Sequence, residues 1–357
     1  MPGGNMTDRE KAGALARQVG MDFGAALTVA LAYLGDRLGI FKALAQGMRL
    51  TTTQLSERTA LNERYLREWA STMAAAGYIE YDPRNETFSM SREQVQVLVE
   101  DRNVVSMAGT FQYAVACYRQ LPKLTEAFKH GGGVPFADFA PEIVEAIERM
   151  FQGGYETWVA QQWIPALPDI DERLRAGGDA AEVGCGAGQC LIPVALAYPK
   201  SRFLGYDVDT TSITRAREKA ARAGASDHVT FQQVAAEALP ADGRFDLVMA
   251  FNCIHDMANP RGALAGIRRA LKPSGALMWS EADASDRLED NLNPRGRSFY
   301  AASTMHCMTV SLAQGGEGLG VVVGERRARE MANEAGFSKF ERLPIENPFH
   351  QIFVARP

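Results

Sequence analysis

The chain is short of several things, and each shortage removes a class of proteins. Cysteine is sparse: the five residues at 117, 185, 190, 253 and 307 are odd in number, spread out and free of C-x-x-C spacing. That excludes a disulfide framework and a zinc knuckle and fits free thiols in a reducing compartment. Long apolar runs are missing, with nothing near the ~18 uninterrupted residues of a membrane span. The segment Met1–Asp8 lacks the basic-then-apolar order of a secretion signal. Positive charge is in deficit, since 38 Lys+Arg against 43 Asp+Glu leave a net charge of −5. Nucleic acid and anionic membrane are therefore not expected as partners. Repeats and low-complexity tracts are absent apart from short glycine stretches at 130–133 and 314–320, which read as loops. A cytoplasmic globular protein fits these absences, and 357 residues suffice for two domains.

What the chain does contain is organised around Asp179-Ala-Ala-Glu-Val-Gly-Cys-Gly-Ala-Gly-Gln189, which reads as a buried strand, a glycine turn and a helix from Cys190 to Tyr198. Glycines at 184, 186 and 188 let the chain bend sharply and let a ligand approach backbone N–H groups at a helix N-terminus. A dinucleotide fingerprint would put its third glycine at 189, where this chain has Gln189. Regular alternation follows: strands at 202–207, 229–234, 245–250 and 275–280, with helices at 209–223 and 260–271. A helix at 325–335 and strands at 338–343 and 350–355 close the chain. This βα rhythm predicts an α/β, mostly parallel, doubly wound sheet that binds its ligand at the strand C-termini.

Ahead of this lies a different text. Helical periodicity runs from Asp22 to Ala45 with a break near Gly35 or Gly39. Two more helices, around 51–61 and 63–76, and a hairpin of 78–82 with 87–90 predict a winged helix. Residues 1–100 carry 11 Lys+Arg against 12 Asp+Glu, which gives no basic footprint for DNA. In the would-be recognition helix Arg64 and Arg67 are matched by Glu63 and Glu68, while Tyr65, Leu66, Trp69 and Met73 form an apolar stripe. Residues 101–175 read as a helical linker rich in large side chains, among them Phe111, Phe128, Phe136, Phe139, Tyr155, Trp158 and Trp163.

The G-x-G-x-G turn with Glu182 two residues before it resembles motif I of class I S-adenosylmethionine (SAM) dependent methyltransferases. With the preceding winged helix, the chain resembles small-molecule O-methyltransferases and the C-methyltransferases of α-keto acids. The resemblance implies a Rossmann-like methyltransferase domain at 176–357, a winged-helix dimerisation-like domain at 1–100, and a substrate-pocket region at 101–175. It also implies a homodimer and an apolar or aromatic small-molecule acceptor.

Cofactor contacts are then expected from Glu182, Gly184, Gly186, Asp207 and Asn252, with Asp207 placed to accept hydrogen bonds from the ribose hydroxyls. The third-strand segment departs from the family by placing Ala235 where an acid usually faces the adenine amino group, leaving Glu237 as a substitute or a solvated charge.

Phe251-Asn-Cys-Ile-His255-Asp256 is similar to the I-L-H-D-W segment whose histidine deprotonates the acceptor hydroxyl, and an imidazole can be such a base at neutral pH. His255, Asp256 and His306 together make a catalytic set. They would also ligate a divalent or ferric ion as a two-histidine, one-carboxylate site, as in the keto-acid enzymes. Glu281 and Asp283 are auxiliary acids or solvated loop residues, and 314–320 is a lid or a plain loop. The competing function is a SAM-responsive winged-helix transcriptional regulator.

Overall fold

The computed structural model describes residues 7–347 and 349–357, so the first six residues read for a secretion signal lie outside it. Two compact units divide the chain at Val115/Ala116.

The first unit opens with a helix of 30 residues, Asp8–Arg37, started by a capping box between Thr7 and Glu10. Of the two predicted break points, Gly35 lies within the continuous helix, and Trp69 packs on it where a Cβ would stand. The break falls at Gly39, whose φ of +71° suits glycine. Helices Ile40–Leu44, Thr52–Thr59 and Glu63–Ala75 follow, then a hairpin of β1 (Glu80–Asp82) and β2 (Thr87–Ser89). Phe41, Leu44, Leu55, Leu66, Trp69 and Met73 fill one core. Tyr65 departs from the expected stripe and is 81% exposed, one position off the buried face. Both arginines of that helix are paired within it, Arg64 with Glu68 at 2.6 Å and Arg67 with Glu63 at 3.2 Å.

The second unit is a seven-stranded sheet made of β3 (Asp179–Val183), β4 (Arg202–Asp207), β5 (Val229–Gln233), β6 (Phe245–Phe251), β7 (Leu271–Ala282), β8 (Lys339–Arg342) and β9 (His350–Arg356). Its order is β5-β4-β3-β6-β7-β9-β8. The five strands β3 to β7 run parallel, and β9 pairs antiparallel with both β7 and β8. Strand alternation sends side chains to two cores. One holds Trp163, Leu191, Phe203, Met249, Met278 and Val354. The other holds Val183, Tyr206, Phe245, Ile267, Trp279 and Phe353.

β7 is longer than its apolar pattern predicts, reaching Ala282 instead of stopping at Ser280. Glu281 is therefore a strand residue paired with Gln351, which puts it inside the sheet and overturns its solvated-loop reading.

Candidate active site

β3 delivers the chain into the glycine turn, and there Gly184, Gly186 and Gly188 have φ of +62°, +52° and +76°. All three sit where a Cβ is strained. At Gly184 a side chain would also collide with Cys253, and at Gly188 with Ile192 and Phe231. The turn is tied to the next strand: Gly186 N–H donates to Asp207 Oδ2 at 2.9 Å and Asp209 N–H to Oδ1 at 2.9 Å. Burial raises the Asp207 carboxyl above its usual range, although these two N–H groups pull the other way.

Glu182 lies under the turn at 3% exposure. Burial, and then the neighbouring Asp207, push it well above the usual carboxylate range, with the Cys190 thiol and Leu191 N–H pulling back. Its Oε2 is buried without a hydrogen-bond partner. A half-satisfied buried acid beside a second acid is costly unless a positive group completes it. The turn therefore leaves one buried acid oxygen, Glu182 Oε2, unsatisfied beside Asp207.

β6 leaves the sheet through Asn252, a non-glycine residue at φ +51°. A single turn, Ile254–Asp256, then carries His255. The His255 ring is held on both sides. Nδ1 pairs with Glu281 Oε2, and Nε2 lies 3.2 Å from Asp256 Oδ1. Glu281 is fully buried, and its other oxygen accepts from the Trp279 indole N–H at 2.7 Å. Burial pulls His255 down, but the charges of Glu281 and Asp256 outweigh it and hold the imidazole well above its usual range. For Asp256 burial works upward, and the His255 charge overcomes it to leave the carboxyl lowered.

His306 and Cys307 arrive on a π-helical turn, Ser303–Cys307. The His306 ring packs against Phe139 and Phe136, with centroids 5.0 and 5.9 Å apart, and burial lowers its pKa. Among the described residues one group could gather around a metal: His255, Asp256 and Cys307, with donor atoms within 4.8 Å of one another. The predicted trio had His306 in place of Cys307. The expected two-histidine, one-carboxylate set therefore does not assemble among the described residues, and in the group that does, burial pushes the Cys307 thiol up to about 12.

The amide nitrogen of Asn252, expected at the cofactor, has two protein neighbours. Nδ2 donates to Tyr155 Oη at 2.9 Å and lies 2.8 Å from His350 Nε2. Sequence reasoning named Tyr155 only among the large side chains of the linker and gave His350 no role. Asp283 is bound by Arg295 at 2.7 Å and Arg342 at 3.1 Å. It borders a polar cleft of about 720 Å³ that contains none of His255, Asp256 and His306. Glu237, the acid two residues beyond Ala235, is exposed. The glycine stretch 314–320 is fastened down: Glu317 N–H donates to Ala258 O and Gly318 N–H to Ser311 Oγ.

Residues 175–336 match the family described as a methyltransferase domain. The chain carries a methyltransferase domain. Residues 25–100 match a Rv2258c-like winged helix-turn-helix domain. The chain is 32% identical over 109 residues to 27-O-demethylrifamycin SV methyltransferase of Amycolatopsis mediterranei, covering 30% of this chain and 40% of that protein. It is 29% identical over 161 residues to a ubiquinone/menaquinone biosynthesis C-methyltransferase of a Marinomonas species, covering 39% and 60%. The chain thus spans less than two thirds of these curated relatives.

In shape the likeness runs the whole length. Mitomycin 7-O-methyltransferase superposes with a TM-score of 0.72 at 18% identity, covering 98% of this chain and all of that one. Human N-acetylserotonin methyltransferase, solved with SAM, gives 0.70 at 15% identity and covers 99% of both. The fold is that of class I methyltransferases behind a winged helix, and the glycine turn and His255 both belong to the methyltransferase domain.

Proposed function

We propose that this protein is a SAM-dependent methyltransferase whose acceptor is a hydroxyl on an apolar or aromatic small molecule. The observation that carries this reading is the His255–Glu281 pair at the same sheet edge as the glycine turn. A buried carboxylate on Nδ1 fixes the ring and leaves Nε2, now facing Asp256, as the nitrogen that would have to serve an acceptor. Gly184, Gly186 and the carboxylates of Glu182 and Asp207 would hold SAM, Asp207 at the ribose and Glu182 toward the cationic end. When bound, SAM supplies a sulfonium methyl group whose transfer to a nucleophile is intrinsically favourable.

The chain's own residues would align and deprotonate. At rest His255 is an imidazolium between two acids, so Nε2 must release its proton before the ring can accept one from a hydroxyl. Asp256, whose buried Oδ1 lies 3.2 Å from Nε2 on a side chain otherwise partly open to solvent, is the group placed to pass that proton outward. Phe136 and Phe139 beside His306 supply an apolar wall suited to an aromatic acceptor. The hydroxyl preference also draws on the O-methyltransferases among the similar proteins.

The regulator alternative has less behind it, since the arginines of the would-be recognition helix are spent on its own glutamates. We also propose a homodimer through the first unit, whose long helix leaves Leu15, Val19, Met21, Phe23 and Leu27 exposed to be covered by a second copy. Light scattering tests this.

Calorimetric titration with S-adenosylhomocysteine tests the function. The wild type should bind, and Asp207→Ala should bind on the order of 100-fold more weakly, the loss of one to two charge-assisted hydrogen bonds. A mass-spectrometric search of phenols and keto acids incubated with SAM then identifies the acceptor. Absence of binding by the wild type would end this reading.

A further inference from the structure

We infer that Trp279 is a positioning residue for His255, acting through the Glu281 carboxylate. This rests on the reading of His255 as the acceptor's base. Trp279 and Glu281 are two apart on β7, so they leave the strand on one face. Both are fully buried. The carboxylate thus has a donor for each oxygen, the imidazole Nδ1 on Oε2 and the indole Nε1 at 2.7 Å on Oε1. With both oxygens held, the carboxylate plane cannot turn, and the ring bonded to it keeps its orientation. The indole is itself braced: its backbone pairs with Ala250 and Phe353, and its ring meets Phe353 edge-on at 5.8 Å.

Packing alone does not account for the residue. Many large apolar side chains fill the interior of a central strand, but a tryptophan brings an N–H at its ring edge, and this one points it at the acid that orients His255. Without that donor Oε1 would be a buried oxygen lacking a partner, and Glu281 would turn or take up a proton. Either change loosens His255 while leaving the glycine turn untouched.

Trp279→Phe keeps an aromatic ring and removes the N–H. Using the acceptor found in the product search, kcat should fall about 10- to 100-fold, the usual cost of losing a partner that orients a functional ligand. The KM values for SAM and acceptor should stay within about twofold. In a Glu281→Ala background, adding Trp279→Phe should change kcat less than about twofold, because its route to His255 is already gone. A loss that is undiminished in that background would mean a purely structural role and overturn the inference.

A second measurement does not depend on turnover or on the folding of Trp279→Phe. The enzyme labelled with 15N-tryptophan has four indole N–H signals, one per tryptophan. Glu281→Gln should move one of them upfield as a charged acceptor becomes neutral; four unmoved signals would overturn the inference. A His255→Gln enzyme with full turnover would instead sink the base reading, and that outcome is separable from an unmoved indole signal, which sinks only the role of Trp279.

Discussion

Two histidines stand at the exit edge of one sheet, His255 at 3% exposure and His350 at 4%, and the protein holds them in opposite charge states. They serve its two faces. Glu281, which binds His255, has the alternation of Trp279, and His350 has that of Ile352 on the other side. Around His350 lie the rings of Phe151, Tyr155 and Trp163, with centroids 5.6, 6.3 and 6.1 Å away. Its polar neighbour is the Asn252 amide, 2.8 Å from Nε2. Burial lowers His350 to about 4, and two carboxylates raise His255. Desolvation by itself always neutralises an imidazole; an acid at hydrogen-bond distance reverses the sign. Equal burial thus makes one histidine a proton carrier and the other a neutral structural link.

The largest effect should come from removing the charged histidine. His255→Gln is expected to lower kcat by about 10²- to 10⁴-fold, the range for losing a general base, with S-adenosylhomocysteine binding unchanged in calorimetry. His350→Gln, which keeps a partner for Asn252, should stay within about tenfold of wild type; an equal loss would erase the contrast.

Next comes the pH profile. A base must be neutral, so turnover should rise with pH about a midpoint above the ordinary imidazole value of ~6.5. Glu281→Gln should shift that midpoint down by removing the charge that holds the proton. A midpoint at or below 6.5 in the wild type would contradict the charged resting state.

The smallest effect is on stability. For His350 the folded pKa is depressed, so the unfolded chain binds the extra proton between pH ~6.5 and 4. Stability should fall through that window as pH drops, by up to roughly 3 kcal/mol from this group. His255 runs the other way: its contribution is complete below pH ~6.5 and is lost as pH rises through its elevated folded value. Urea unfolding across pH should show a shallower acid limb in His350→Phe than in wild type.

Much of the fold is legible in the sequence because its signals are local. Strand β4 begins and ends where the apolar run does, and the helix Thr210–Arg222 is one residue short of its reading at each end. The turn glycines declare themselves by spacing and take the left-handed conformations that the spacing requires. Glu281 was named but misplaced, because an acid at the end of an apolar run looks like the first loop residue, and only pairing with Gln351 shows that the strand continues. Tyr65 looked like core because a helical stripe tolerates an error of one position, some 100° around the axis.

By itself, then, the sequence determined the sheet of alternating strands and helices, the glycine turn with Glu182, and the arrival of His255 just beyond the fourth parallel strand. These follow from periodicities of two and 3.6 residues and from the conformational freedom of glycine, all of which act within a few positions. The tertiary structure alone decided that Cys307 and not His306 closes on Asp256, that Tyr155 and His350 clamp Asn252, and that Trp279 and Glu281 stand behind His255. A proton's residence depends on groups a few ångströms away, and although Asp256 adjoins His255 in the chain, Glu281 lies 26 residues from it and Asn252 lies 98 from His350.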